Sequence, residues 1–277
     1  MLCQLLAETS LHEGAVRHMS AAATNEEVVN VPGGVFDMGS TLREIDETEA
    51  EWSHKLISPD YIPVFRSWLL KEYPAHQVSV DAFALMKYPV TNAQYRTFLD
   101  SCSSRAPESV TESLPPDHPV WGVSLRDATG YASWLSERTG QPWRLPTEAE
   151  WEWSARGRIG RRYPFGERFD VTKCNSVESG KNTTTSVYAF ANAASPFGIC
   201  DLAGNVEEWT STSYAPYPGG NFIEDDLWNI LGQGYPILRG GSFLLGGDLT
   251  RTRRRHGPHP ELKFRVTGFR LARNLSP

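Results

Sequence analysis

The sequence predicts an α+β fold of few helices, short strands and long loops. Three observations carry that prediction. The chain of 277 residues holds 23 Gly, 19 Pro and 9 Trp, which favours many turns and aromatic packing over long helices. Two stretches, near residues 28–38 and 77–85, read as short strands. Two capping boxes, Thr91 with Gln94 and Thr147 with Glu150, open short helices. The charged fraction of 22% against 40% hydrophobic residues excludes global disorder. A formal net charge of -6 gives no reason to expect nucleic acid.

Residues 1–26 show no clear period and are expected to be an N-terminal extension, with one domain over 27–277. Met19 is an alternative start. The apolar run at Met1–Leu6 is interrupted by Glu8, His12 and Glu13, too soon for a secretory signal. No run of about 18 apolar residues exists, so no membrane span is expected. Cys3, Cys102, Cys174 and Cys200 lack metal-type spacing. They allow a disulfide but imply no dense framework. Free thiols in the cytoplasm are the expectation.

Val28–Val31 reads as a strand stopped by Pro32-Gly33-Gly34, and Val35–Met38 as its hairpin partner. Residues 41–75 are long, acidic at first and aromatic later (Trp52, Tyr61, Phe65, Trp68, Tyr73), with a helix expected at 64–71. Such a segment is either a lid or binding loop, or a surface elaboration packed by its own aromatics. Gln77–Leu85 alternates as one strand. The helix after Thr91 puts Tyr95, Phe98 and Leu99 on one stripe. Residues 101–117 read as a loop. Ser124 caps a helix with Ala128, Tyr131, Ala132 and Leu135 at helical spacing, and Gly140 stops it. The helix capped by Thr147 runs through Trp153 and serves as scaffold. His76 and His118, beside strand starts, read as structural hydrogen-bonders.

Asp201–Trp209 reads Asp-Leu-Ala-Gly-Asn-Val-Glu-Glu-Trp. Asp201 and Glu208 supply hard anionic oxygens, and Gly204-Asn205 lets the backbone turn its carbonyls inward. Asp201, Gly204, Val206 and Glu208 are therefore candidate ligands for a structural Ca²⁺. The alternative is a tight turn whose carboxylates satisfy backbone N–H groups.

This stretch resembles the central motif of the sulfatase-modifying-factor family, which includes the formylglycine-generating enzymes. Pro32–Ser40, Pro89–Tyr95, Arg144–Glu152, Leu238–Phe243 and Gly268–Ala272 continue the resemblance in order, over about residues 29–274. It implies a C-type-lectin-like architecture. It also implies another Ca²⁺ site near Asn175, with Ser176 contributing its carbonyl; Asx- and ST-turns are the alternative there.

In the formylglycine-generating enzymes, two cysteines after the Arg-Gly-Gly-Ser-Phe segment bind copper. Here Leu245 stands at the first position, Thr250 near the second, and no cysteine follows Cys200. The copper–thiolate mechanism is excluded for this chain acting alone. The resemblance places a substrate groove at Ser242, Leu245, Glu207 and Arg255, with Glu207 replacing a tryptophan of relatives. Glu207 and Arg255 would face a small polar molecule from opposite ends, Arg255 as a planar fork. The alternatives are that Arg255 forms a structural pair with a carboxylate, that the two pair with each other, or that Glu207 faces solvent. His256 and His259 are a second candidate metal pair. Iron or copper enters only by analogy with relatives. Sulfoxide synthases of the family take iron ligands from an added helical domain, for which the N-terminal extension is too short.

Three function classes follow: an oxidoreductase or tailoring enzyme for a small metabolite, a binding module without chemistry, and an accessory subunit. The arginines and histidines at the pocket end favour the first. A small molecule is the expected partner.

Overall fold

The structure, a computed structural model, describes residues 26–258 and 265–275. It is mixed α+β with short strands, as expected. The expected extension over 1–26 falls almost wholly outside the described residues, and so does His259.

In order, the elements are β1 (Val28–Val31), β2 (Gly34–Met38), α1 (Leu42–Trp52), α2 (Ile62–Leu70), β3 (His76–Val80), β4 (Phe83–Met86), α3 (Asn92–Leu99), α4 (Glu108–Thr111), α5 (Leu125–Thr139), α6 (Glu148–Arg156), β5 (Glu207–Ser213), α7 (Asp226–Leu231), β6 (Pro236–Arg239), β7 (Thr267–Gly268) and β8 (Ala272–Asn274). The strands form three small sheets, ordered β1-β4-β8, β2-β3 and β6-β5-β7. No helix among the described residues is long and apolar enough to cross a membrane.

The expected hairpin between β1 and β2 does not form. β1 pairs with β4 in the register Val29↔Leu85, and β2 pairs with β3 in the register Phe36↔Val78. The single strand expected over 77–85 is likewise two strands. The reason is local. At the break Pro32-Gly33, the Pro32 carbonyl accepts the Trp153 indole N–H at 2.8 Å. A Cβ on Gly33 would lie 2.9 Å from the Val80 carbonyl and 3.0 Å from the Ala82 nitrogen. The breaks at 32–33 and 81–82 thus pack against each other, and the chain changes sheet at both.

The capping boxes at Thr91 and Thr147 are both formed, and Ser124 and Asp127 form a third. Gly140 ends α5 in the left-handed conformation at φ 66°. The stripe of α3 packs Tyr95 and Phe98 against Tyr131 and Phe269. Helix α6 runs on to Arg156 and buries Trp151 and Trp153 against Phe36 and Leu85. His76 and His118 bond Pro74 O and Thr184 Oγ1.

Residues 41–75 hold two helices rather than one, because Thr41 and Glu44 make another capping box. One face buries Ile45, Trp52, Phe65 and Leu69 with Tyr163. The segment is thus packed by its own aromatics. Its other face has a second role.

Candidate functional site

That face walls a cavity of about 220 Å³. Leu56, Ile57, Tyr61 and Trp68 come from the 41–75 segment, and Leu244, Leu245 and Leu249 from the chain after Gly240-Gly241. Lys71, Asp226, Asp248, Arg254 and His256 supply polar groups. An apolar body with a few polar groups is the usual make-up of a small-molecule site.

β-pairing positions the key polar group. His256 exchanges backbone hydrogen bonds with Leu238 at 2.9 and 3.2 Å, which extends β6. β6 lies beside β5, whose first residue is Glu207. The result is an ion-pair contact of 2.8 Å between His256 Nδ1 and Glu207 Oε1. Glu207 is buried at 1% and the His256 side chain is 17% exposed. With Nδ1–H donating to the carboxylate, Nε2 is left with its lone pair. Such an imidazole can take a proton from a bound molecule, and the carboxylate stabilises the cation that forms.

The other charges are mostly paired. Lys71 Nζ bonds Asp225, and burial pushes the lysine down to about 8 against the opposing pull of that carboxylate. Asp248 accepts from Arg254 Nε at a long 3.4 Å, and burial pushes its carboxyl above the usual range. Trp68 Nε1 donates to Asp226 at 2.9 Å, which ties α2 to α7.

Several expected site residues have other employment. Arg255 does not reach the cavity. Its Nε and Nη2 grip Glu148 at 2.8 and 3.1 Å, Nη1 donates to the Lys71 and Ala215 carbonyls at 3.0 Å, and the guanidinium lies 4.1 Å from the Tyr217 ring centroid. A fork so engaged cannot hold a ligand, so Arg255 is the structural pair. Ser242 is fully buried, with its hydroxyl oxygen accepting from the Leu244 N–H. Glu207 does not oppose Arg255; it pairs with His256. Of the expected groove, Leu245 lines the cavity. Lys71, Trp68, Asp248 and Arg254 were missed. The aromatic 41–75 segment was the signal for Trp68 and Lys71, and the charged run after Gly246 that for Asp248 and Arg254.

The Asp201–Trp209 loop is also rearranged relative to expectation. Glu208 is not a free ligand. Arg270 grips both its oxygens at 2.7 Å, and Trp151 Nε1 donates to one at 2.9 Å. Arg270 further donates to the Cys200 and Asp201 carbonyls at 3.0 Å. Asn175 is no free ligand either. Its amide donates to Thr183 O and Asn205 Oδ1, and its oxygen accepts from Ser179. The Ser176 carbonyl accepts from the Ser179 N–H. The loop at Asn175 thus makes the turn bonds expected as the alternative to the second Ca²⁺ site. It is stitched to the first loop where Gly204, at φ 77°, comes so close to Asn175 that a Cβ would lie 2.3 Å from its carbonyl oxygen.

Asp201 is different. Asn205 Nδ2 holds Oδ2 at 2.8 Å, but Oδ1 is buried without a hydrogen-bond partner. Burial pushes this carboxyl up to about 7. A buried carboxylate oxygen without a partner needs a proton or a cation. Asp201, with the carbonyls of Gly204 and Val206, fits a hard oxygen-seeking cation in donor type. Glu208 does not join them. Among the described residues, no three His, Cys, Asp or Glu side chains group as a metal site. A copper–thiolate pair does not fit, since Leu245 occupies the cavity wall and Cys174 is buried with its thiol pushed up to about 12.

The family model described as "Sulfatase-modifying factor enzyme 1-like domain" matches residues 15–275. The chain belongs to that family. It is 33% identical over 276 residues to the serine/threonine-protein kinase pkn1 of Chlamydia pneumoniae, covering 90% of this chain and 38% of the relative. It is 31% identical over 241 residues to the hercynine oxygenase of Mycolicibacterium thermoresistibile, covering 73% of this chain and 53% of the relative. The chain thus spans about half or less of these relatives. Among solved structures, PvdO from Pseudomonas aeruginosa superposes with a TM-score of 0.65 at 24% identity, over 90% of this chain and 94% of that one. That likeness carries the fold alone.

Proposed function

We propose that this chain is a tailoring enzyme of oxidoreductase type, acting on a small metabolite in a biosynthetic pathway, and not a formylglycine generator. The observation that carries the reading is the Glu207–His256 dyad at the polar end of a leucine- and aromatic-walled cavity. The likeness to hercynine oxygenase supports oxidative chemistry on a small molecule. Leu56, Ile57, Tyr61, Trp68, Leu244 and Leu245 hold the apolar body of the substrate and exclude water. His256 Nε2 accepts a proton from it, and Glu207 orients the ring. Asp248 and Arg254 fix a polar substituent.

A structural Ca²⁺ at Asp201, with the Gly204 and Val206 carbonyls, belongs to the same proposal. It stiffens the loop that leads into Glu207 and supplies no chemistry.

The test is oxygen uptake by the purified protein with fractionated small-metabolite extracts, in parallel with Fe(II) and Cu(I) and with elemental analysis. We expect uptake that depends on one fraction and is lost in His256→Gln. Uptake that persists in His256→Gln, or a cysteine-containing sulfatase peptide converted to formylglycine by mass spectrometry, would overturn the reading.

A further inference from the structure

A second cavity, of about 280 Å³, lies apart from the site described and shares no lining residue with it. Its polar walls come from Arg156, Arg158 and Arg253, with Gln77, Asp37 and the turn at 157–160. Asp37 carries the one carboxylate among the lining residues, and Arg156 and Arg253 each also pair with a carboxylate outside the lining, Glu152 and Glu44. Arg156 ends α6, and Gly157 follows at φ 63°. That turn brings Gly160 so close that a Cβ there would lie 3.1 Å from Arg156 Nη2. Glycine at 160 thus lets the loop close over the guanidinium.

Neither inner arginine is fully satisfied. Arg156 Nη1 donates to the Asp37 carbonyl and to Glu152. Arg253 Nη2 reaches Glu44 at 2.8 Å and Gly160 O at 3.3 Å. Each keeps a buried Nε–H without a partner. Burial first, and the neighbouring Arg156 second, push the Arg253 guanidinium below its usual range. Two crowded cations, each with an unused donor, cost free energy that an anion between them would recover. Guanidinium forks match the geometry of tetrahedral oxyanions.

We propose that the Arg156–Arg158–Arg253 cavity is a binding site for a phosphate group, either free phosphate or the phosphate of a small monoester. Its two largely buried arginines provide fixed donors, the unpartnered Nε–H groups. Arg158, exposed at the rim, adds a third positive charge.

The experiment is calorimetric titration of inorganic phosphate into the full chain, with chloride held constant. Saturable one-to-one binding is expected. Arg253→Gln should weaken it roughly tenfold or more, the loss of charge-assisted hydrogen bonds. Arg158→Gln should weaken it a few-fold, and its exposed position leaves the fold intact if Arg253→Gln does not fold. Arg126→Gln, an exposed arginine on α5 outside the cavity, should change nothing. Tighter binding of phosphoserine than of phosphate would identify a monoester as the ligand, and the reverse would identify free phosphate. Absent saturable binding, or equal weakening by Arg126→Gln and Arg158→Gln, would overturn the proposal.

Discussion

Arg255 and His256 are neighbours in the chain and belong to different regions of the molecule. Arg255 joins a buried lattice with Glu148, Arg239 and Glu152, and Trp151, against the Arg239 guanidinium and donating to Glu208, connects it to the Glu208–Arg270 pair. His256 faces a cavity whose polar groups are held more loosely, with Asp248 and Arg254 at 3.4 Å and the imidazole partly exposed. Charge serves the fold in the first region and, on the proposed reading, chemistry in the second. Except for Arg255, the lattice residues lie within the motifs that mark the family. The cavity wall comes from the 41–75 segment and from Leu244–Asp248, where this sequence departs from the formylglycine-generating pattern.

The largest expected effect breaks the lattice. Glu208→Ala leaves Arg270 buried and unpaired, and strips Trp151 of its acceptor. Removing one partner of a buried pair costs about 3–5 kcal/mol. Chemical denaturation should show a loss of that size, or no folded protein. A matched substitution in the cavity, Leu245→Ala at a residue 9% exposed, should cost clearly less. Equal losses would erase the distinction between the two regions.

The next effect is functional. His256→Gln should lower turnover by roughly 100-fold, the lower range for loss of a general base, with little change in melting temperature. Glu207→Gln should lower it less, since the amide still accepts from Nδ1–H but stabilises the imidazolium poorly. If instead both variants unfold and neither alters turnover per folded molecule, the dyad belongs with the lattice.

Asp201 sits between the two regions and is tested by pH. Its carboxyl is raised from 3.8 to about 7 by burial in the cation-free protein. A raised carboxyl contributes stability that is fully present below pH 3.8 and is lost as pH rises through about 7. At pH 8 the ionised group then carries a penalty on the order of 4 kcal/mol. Ca²⁺ should recover it, so the Ca²⁺-induced rise in melting temperature should shrink below about pH 7. Asp201→Asn should stabilise the chelated protein at pH 8 and abolish the Ca²⁺ response. An unchanged wild-type melting curve with chelator at pH 8 would mean that a proton alone satisfies Oδ1.

These differences also explain what was legible in the sequence. Capping boxes at Thr91 and Thr147 act over three residues, so local reading found them. The exchange of partners between β1–β2 and β3–β4 rests on the contact of Gly33 with Val80 and Ala82, about fifty positions away, which no local pattern contains. At the site, the resemblance grouped Glu207, Leu245, Ser242 and Arg255; the structural-pair alternative holds for Arg255, and His256, expected as a metal ligand with His259, is instead the partner of Glu207. Arg251, Arg253, Arg254 and Arg255 each meet a different carboxylate, Glu72, Glu44, Asp248 and Glu148, and those partners are mostly distant in the chain, so no local pattern shows which arginine faces the cavity. Lys71 and Trp68 in the 41–75 segment and Asp226 in α7 could not be found by motif, because neither stretch has a counterpart in the motifs used.

The smallest effect sharpens the comparison at the cavity mouth. Trp68 packs edge-on to Tyr61 at 5.3 Å and donates to Asp226 at 2.9 Å. The Asp226 side chain is exposed, so water competes for this bond, and its loss should cost no more than about 1 kcal/mol. Trp68→Phe keeps most of the aromatic wall and removes the donor. The buried Lys71–Asp225 pair still joins α2 to α7, with Asp225 also capping α7 through the Trp228 N–H at 3.0 Å. The global melting temperature should therefore hardly move. Amide exchange in α7 should rise a few-fold, because one of two links to α2 is gone. If the cavity is closed by that link, the affinity for the active metabolite fraction should fall by a similar factor. Faster exchange with unchanged affinity would assign Trp68 to the self-packed face of the 41–75 segment and leave Leu244, Leu245 and His256 as the side of the cavity that recognises the substrate.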